Sequence, residues 1–310
     1  MADVRRIITQ WLETDEALGV EDVPLTFPAV TAAAATPAPA AVRSVLPAAR
    51  PAPPPPDRRV FAVREEPDRH PPAPLHEESV PRRKTPVDLP PIPAGDIAAL
   101  PPLTRAEKQQ RLDALRRRAE MDCRPLLDEI STHVVFGEGD PDARLLFIGE
   151  GPGVEEDKTG RPFVGRSGQL LDKMIAAMGF NRELLPQGQG EVYIANVVKL
   201  RCADFDATSG RLKDRPPTPE EAARGLPILH QQIEIIRPAV IVTLGAPAIK
   251  WLTGTTEGVM KIRGTWLNYR GIPVMPTYHP SFLLRAYTPE NRAKVWSDLQ
   301  AAMTRSTRAK

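Results

Sequence analysis

The sequence predicts an α/β fold: a three-layer α/β/α sandwich around a central, mostly parallel four-stranded sheet, preceded by a disordered Pro/Ala-rich region. Three observations lead there. Of the 36 prolines, 21 fall between Pro24 and Pro102, among runs such as TAAAATPAPAAV and PAPPPPDRR, a composition that cannot supply a core. From Leu103 onward, strand-like apolar runs alternate with helix-like segments, the pattern of βαβ units that build a parallel sheet with helices on both faces. Several segments also begin with helix-start chemistry, notably Thr104-x-x-Glu107 and Thr218-Pro219-x-Glu221.

The elements follow in order. Residues 1–20 carry apolar side chains at Val4, Ile7, Ile8, Trp11, Leu12 and Leu18, helical spacing for a short amphipathic helix. Such a helix either docks on a partner protein or frays alone in water. Residues 21–102 read as the linker and residues 103–310 as one compact domain. Within it come a charged amphipathic helix over 103–122, the strand RLLFIG, the helix GRSGQLLDKMIAAMG, the strand EVYIANVV and the helix TPEEAARGLPILHQQIEIIR. AVIVTLG is a fully buried strand, APAIKWLTG a short helix, IPVMPTYHP the last strand and PENRAKVWSDLQAAM the closing helix.

Net charge is only +2, so any nucleic-acid contact must come from a local patch. No run of about 18 apolar residues spans a membrane, and MADVRRIITQWLETDEAL lacks a signal-peptide core. Two cysteines, Cys123 and Cys202, neither in a CxxC pair, fit a reducing compartment, and the expectation is a soluble cytoplasmic protein.

The stretch GEGPGVEEDKTGRPFVG, residues 149–165, directly follows the first strand. It lacks the GKS or GKT ending of a phosphate-binding P-loop, and its carboxylates would repel a phosphate. As a dinucleotide fingerprint it lacks the small residue that packs helix on strand. What remains is an acid-lined pocket for an uncharged, planar ligand, walled by Phe163. In such sheets ligands bind beyond the carboxyl ends of the strands, where Asn196 and His279 also fall.

At these residues the chain resembles the type 4 uracil-DNA glycosylases. The first family motif appears as GEGPGVEED followed by GRPFVGRSGQLL; YIANVVK, PAVIVTLGAPA, KIRGTW and HPSFLLR then follow in family order. The resemblance spans about residues 120–303. It implies a glycosylase fold and hydrolysis of the bond between uracil and deoxyribose in single- or double-stranded DNA, leaving an abasic site and starting base-excision repair. That reaction passes through a cationic sugar and a departing uracil anion after the base is flipped into a pocket.

On this resemblance Glu150 activates water and stabilises the cation, and His279 donates to the uracil carbonyl beside the breaking bond. Asn196 matches the O4 acceptor and N3–H donor of uracil, which cytosine presents reversed. Phe163 stacks on the flipped base, Gly151 lines the uracil pocket, and Glu156 either excludes the thymine methyl group or serves as a loop salt-bridge partner. Arg166, Lys261, Arg263, Ser281 and Arg285 are candidate DNA contacts, with Leu283 or Leu284 as a wedge into the gap left by the base.

The chain departs from the family at its iron–sulfur cysteines. The four expected positions fall on Glu120, Cys123, Leu200 and about Gly225, while Cys202 lies two residues beyond the third. Two cysteines cannot supply four thiolates, so no cofactor is expected, a cluster being the alternative, and Cys123 and Cys202 are remnant candidates only. Leu200 and Leu226 are expected to replace ligation with apolar packing, leaving RCADFDATSGRLKDRPP a mobile loop. The basic loop of the suicide-binding relatives, with its histidine nucleophile, has no match here. Two other functions stay open: excision of another deaminated base such as hypoxanthine, or a catalytically weak DNA-binding scaffold. The protein is expected to be monomeric and nucleoid-associated, with the N-terminal helix and linker available to a protein partner.

Overall fold

The computed structural model describes residues 89–183 and 192–308. The helix expected over 1–20 and most of the expected linker lie outside the described residues. The described body starts upstream of the expected boundary at 103. Ile97, in a 3₁₀ turn over Ile97–Ala99, is 2% exposed and joins the core. Its N–H donates to the Arg270 carbonyl (3.0 Å), while the Arg270 guanidinium donates back to the carbonyls of Gly95 and Ala94. Proline-rich chain is extended, and an extended segment can lay one apolar side chain into a neighbouring core.

Helix α1 (Arg105–Cys123) opens on the expected Thr104/Glu107 capping box. The short edge strand β1 (Glu138–Gly139) and the buried strand β2 (Leu145–Gly149) follow, then α2 (Val154–Thr159) and α3 (Arg166–Ala177). Next come β3 (Val192–Asn196), the hairpin strands β4 (Ala203–Asp206) and β5 (Arg211–Asp214), and α4 (Pro219–Ile236), capped by Thr218 and Glu221. The remainder is β6 (Val240–Leu244), α5 (Ala246–Thr253), α6 (Val259–Ile262), β7 (Leu267–Tyr269), β8 (Ile272–Thr277), α7 (Pro280–Arg285) and α8 (Pro289–Arg308).

The sheet order is β1-β3-β2-β6-β8-β7. The four predicted strands β3, β2, β6 and β8 are parallel, in register from Leu145↔Val192 and Leu145↔Val240 onward. Two short antiparallel edges extend this centre to six strands, because β1 and β7 are too brief to leave an apolar pattern. Alternation along the strands sorts side chains into two cores. Leu146, Ile148, Tyr193 and Ile241 face α1, α4 and α5. Leu145, Phe147, Ile194 and Val242 face α3 and α8. The result is the α/β/α sandwich expected, with its four central strands near full burial.

The segment RCADFDATSGRLKDRPP, expected to be a mobile loop, contains the antiparallel β4–β5 hairpin. The Arg201 guanidinium donates to Asp214 (2.7 Å), and Arg215 grips Glu221 (2.7 and 2.8 Å) and Asp204 (2.9 Å), tying the hairpin root to the domain. No helix among the described residues is long and apolar enough to cross a membrane.

Candidate active site

The chain winds from β2 outward to β3, then returns across β2 to β6, so the carboxyl ends of these strands open a crevice. There β2 delivers Glu150, β3 ends on Asn196, and β8 leads into His279. All three line one cleft of ≈ 550 Å³, together with Gly151, Glu156, Phe163, Arg166, Ser281 and Arg285. Residues far apart in sequence are thus brought together by the parallel sheet.

Asn196 is 1% exposed, yet neither its amide nitrogen nor its carbonyl oxygen has a hydrogen-bond partner among the described residues. A buried primary amide left unpaired is costly and marks a place where a ligand completes the bonding. Its backbone is held firmly: the Lys199 ammonium donates to the Asn196 carbonyl (2.8 Å) and to Gln232 Oε1 (2.7 Å). Gln232 in turn donates to the Phe136 carbonyl. The N–H groups of Val197 and Val198 donate to the carbonyls of Gly149 and Glu150, keeping the ends of β2 and β3 together. Burial pushes the Lys199 ammonium down to about 7.

One carboxylate oxygen of Glu150 is likewise buried without a partner. Burial raises its pKa, which makes it a stronger base once ionised. His279 sits in the opposite state: burial first, then the Arg285 charge, lowers it to about 4, against an upward pull from Glu156. It is therefore neutral near neutral pH. Its Nδ1 accepts the N–H of Ser281 (3.0 Å), which places the ring proton on Nε2 and leaves that nitrogen a donor.

Phe163 occupies the left-handed region (φ 52°), uncommon for a bulky residue, and is 5% exposed. The buried Arg182 enforces this turn, donating to the carbonyls of Phe163 (2.6 Å) and Pro162 while pairing with Asp172 and Glu138. Gly149 makes room for the ring: a Cβ there would stand 2.5 Å from Phe163 Cζ and 2.4 Å from Asn196 Oδ1. The Phe163 and His279 rings lie 5.7 Å apart, enclosing one side of the cleft. Gly151 similarly keeps clear of the Val198 side chain, which a Cβ would meet at 2.7 Å.

Glu156 lines the cleft but makes no salt bridge among the described residues. Its Oε1 accepts the N–H groups of Val164 (2.8 Å) and Gly165 (2.9 Å), and Oε2 that of Gly153 (3.2 Å). It acts as a brace across the loop, a role that neither a methyl-excluding nor an ion-pairing reading anticipates.

The DNA-contact candidates divide. Arg166 and Arg285 are exposed at the cleft rim and Ser281 lies beside His279. Lys261 is exposed on α6, paired with Glu257 (2.6 Å). Arg263 is instead drawn inward to Asp298 (2.6 Å) and the Lys294 carbonyl, and Asp298 also accepts from Thr277 (2.7 Å). Its charge neutralises a carboxylate only 2% exposed, so it braces α8 on β8 rather than meeting phosphate. Leu283 is 1% exposed in the α3/α8 core and cannot wedge into DNA; Leu284, half-buried, is the alternative that stays near the surface. Residues that sequence reasoning missed are Lys199, Arg182 and the hairpin root Asp214–Arg215–Pro216–Pro217, which also lines the cleft. Lys199 left one signal, a charge at the end of an apolar strand.

Positions where the resemblance places cluster cysteines also lie together. Cys123, Leu200, Cys202 and Gly225 surround a separate cavity of ≈ 230 Å³. Leu226 is buried as expected, but packing does not fill the space. At Gly225, helix α4 presses so closely on the chain leaving β3 that a Cβ would stand 2.2 Å from the Val197 carbonyl oxygen, leaving no room for a cysteine. Burial raises the Cys123 thiol and pushes Cys202 up to about 12. Two cysteines do not supply the four thiolates that such a cluster requires. Among the described residues no three His, Cys, Asp or Glu side chains gather as a metal site.

The cleft at the carboxyl ends of the parallel strands thus holds polar side chains whose bonding is incomplete, beside an aromatic wall. Residues 136–300 match the uracil DNA glycosylase superfamily, and the chain belongs to it. Over 175 residues, 55% of this chain and 82% of the relative, it is 47% identical to the type-4 uracil-DNA glycosylase of Thermotoga maritima. It is 37% identical over 180 residues to the type-4 enzyme of Sulfurisphaera tokodaii, covering 56% of this chain and 74% of that one. With the type-4 enzyme of Archaeoglobus fulgidus it shares 34% over 189 residues, 58% and 86% of the two chains.

Proposed function

We propose that the protein is a uracil-DNA glycosylase that hydrolyses the N-glycosidic bond of uracil in DNA without an iron–sulfur cluster. The observation that supports this most is the orphaned Asn196 amide, 1% exposed, beside an orphaned Glu150 oxygen in the same cleft.

In this reading the flipped uracil lies against Phe163. The Asn196 amide donates to O4 and accepts from N3–H; cytosine offers an acceptor and a donor in the reversed order and leaves the buried amide mismatched. As the bond between C1′ and N1 lengthens, its electron pair moves into the uracil ring and gathers at O2, to which His279 Nε2–H donates. A neutral imidazole suits this task, since its Nε2–H donates a hydrogen bond but is too weakly acidic to transfer its proton. Positive charge grows on the sugar near the ionised Glu150, which accepts a proton from the attacking water. Water oxygen bonds to C1′, and the uracil anion leaves. Arg166, Arg285 and Ser281 at the rim hold the DNA backbone, and Leu284 fills the vacated stack. The carboxylate braces Glu156 and Asp298 keep this geometry fixed.

The reading is tested with the full-length protein on oligonucleotides carrying a single uracil or a single hypoxanthine, abasic product being revealed by alkali. Uracil-specific product, lost in Glu150→Gln and His279→Ala, is expected. Hypoxanthine presents the same acceptor and donor pair to Asn196, so preferential cutting of that substrate would reassign the base. Binding without product from either, unchanged in Glu150→Gln, would make the protein a scaffold. The N-terminal region is proposed to tether the domain to a protein partner, which pull-down with residues 1–102 would test.

A further inference from the structure

We propose that the β4–β5 hairpin is a stacking platform for an unpaired base next to the uridine held in the cleft, formed by Phe205 and Leu212. The inference rests on the glycosylase reading and adds a surface for the substrate strand.

Phe205 is 66% exposed and Leu212 36%, in a domain whose other strand-borne aromatics are buried. They pair directly across the hairpin, Phe205↔Leu212, and directly opposed residues share a face. The preceding pair, Ala203↔Asp214, lies on the same face two residues closer to the domain. Asp214 fixes where that face looks: it accepts from Arg201 (2.7 Å), its Oδ2 is 3.4 Å from the Cβ position of Gly153, and it lines the cleft with Arg215, Pro216 and Pro217. The cleft wall therefore continues outward, by roughly 7 Å of strand, into an exposed apolar tile.

Charge argues for stacking over phosphate binding. Asp204, Asp206 and Asp214 are matched by Arg211, Lys213 and Arg215, so the hairpin adds no net attraction for a polyanion. Bases offer flat faces, and base–aromatic stacking tolerates any sequence. The platform is also held in place before binding, because an isolated two-stranded hairpin would be marginal and this one is clamped at its root by the ion pairs of Arg201 and Arg215. In a duplex the neighbouring base is already stacked and paired, so the platform favours single-stranded substrate.

The test measures binding of the full-length protein by fluorescence anisotropy, using 2′-fluorouridine oligonucleotides that resist cleavage. Three probes are compared: a single strand, its duplex, and a single strand whose nucleotides flanking the uridine lack bases. Phe205→Ala is expected to weaken binding of the intact single strand about tenfold, with less effect on the duplex and none on the base-less probe. Phe205→Trp should bind at least as tightly as the wild type, and the salt dependence should be unchanged in both. Equal affinity of wild type and Phe205→Ala for the intact single strand would overturn the proposal, as would an equal loss on the base-less probe. Uracil excision by the wild type, run alongside, separates failure of the glycosylase reading from failure of the platform.

Discussion

The Lys199 ammonium donates to the main-chain carbonyl of Asn196 at 2.8 Å, from a side chain only 2% exposed. The residue proposed to read the base is thus held by a buried charge three positions later, which is itself anchored on Gln232 of helix α4. Replacing that lysine by methionine keeps its length but leaves the Asn196 carbonyl and Gln232 without their donor, at a cost of ~1–3 kcal/mol. Lys199→Met is expected to lower kcat on uracil DNA more than it raises KM, and to narrow discrimination against cytosine. Kinetics on both bases, with a melting curve to confirm folding, check this.

Gly149→Ala tests the pocket floor. The added methyl would sit 2.4 Å from Asn196 Oδ1 and 2.5 Å from Phe163 Cζ, so the amide, the ring or both must move. Displacements of about 1 Å cost roughly a hundredfold in rate. Activity is expected to fall by about that factor while the melting temperature changes little, since the strand itself keeps its hydrogen bonds.

The pH dependence has two separable parts. Burial raises Glu150 above its ordinary 4.5, so the acid limb of single-turnover excision should have a midpoint above 4.5, before His279, at about 4, takes up a proton. Stability follows the histidines. His279 and His230 are both lowered to about 4 by burial, against 6.5 in the unfolded chain. The unfolded chain then binds more protons between those values; their contribution is full above about 6.5 and is lost as pH falls toward 4. Melting curves across pH 4–7 should show this fall, and His279→Gln should make it shallower.

Arg263 and Arg285 are expected to behave differently although both lie in DNA-contact motifs of the sequence. Arg263→Ala strands the buried Asp298 carboxylate and should destabilise the fold by ~3 kcal/mol with an unchanged salt slope of DNA binding. Arg285→Ala, at the exposed rim, should leave stability alone and make the salt slope shallower by about one ion.

This contrast marks what could be read from the sequence. The four parallel strands were legible because each is an apolar run bounded by Gly or Pro, and the two long helices because their caps are written locally at Thr104/Glu107 and Thr218/Glu221. Glu150, Asn196 and His279 could be placed at one edge because each falls at or just beyond the carboxyl end of a parallel strand, while the roles expected of them came from the resemblance. Whether Arg263 meets a phosphate or Asp298, 35 residues away, is decided by tertiary contact and leaves no local trace. The same holds for Leu283, whose helical turn points it into the core, and for Glu156, whose partners are backbone N–H groups. The β4–β5 hairpin was missed because its ends are fixed by Arg201 and Arg215 rather than by an alternating pattern, and β1 and β7 because two or three residues are too few to show one.

Uracil excision by this chain is proposed to need no cluster. The most direct measurement is single-turnover excision by the purified full-length protein, with iron quantified in the same sample, before and after incubation with ferrous iron and sulfide under reducing conditions. A cluster-free glycosylase gives the same rate in both samples and retains no iron after desalting. Excision that appears only after incubation, together with bound iron in proportion to activity, would contradict it.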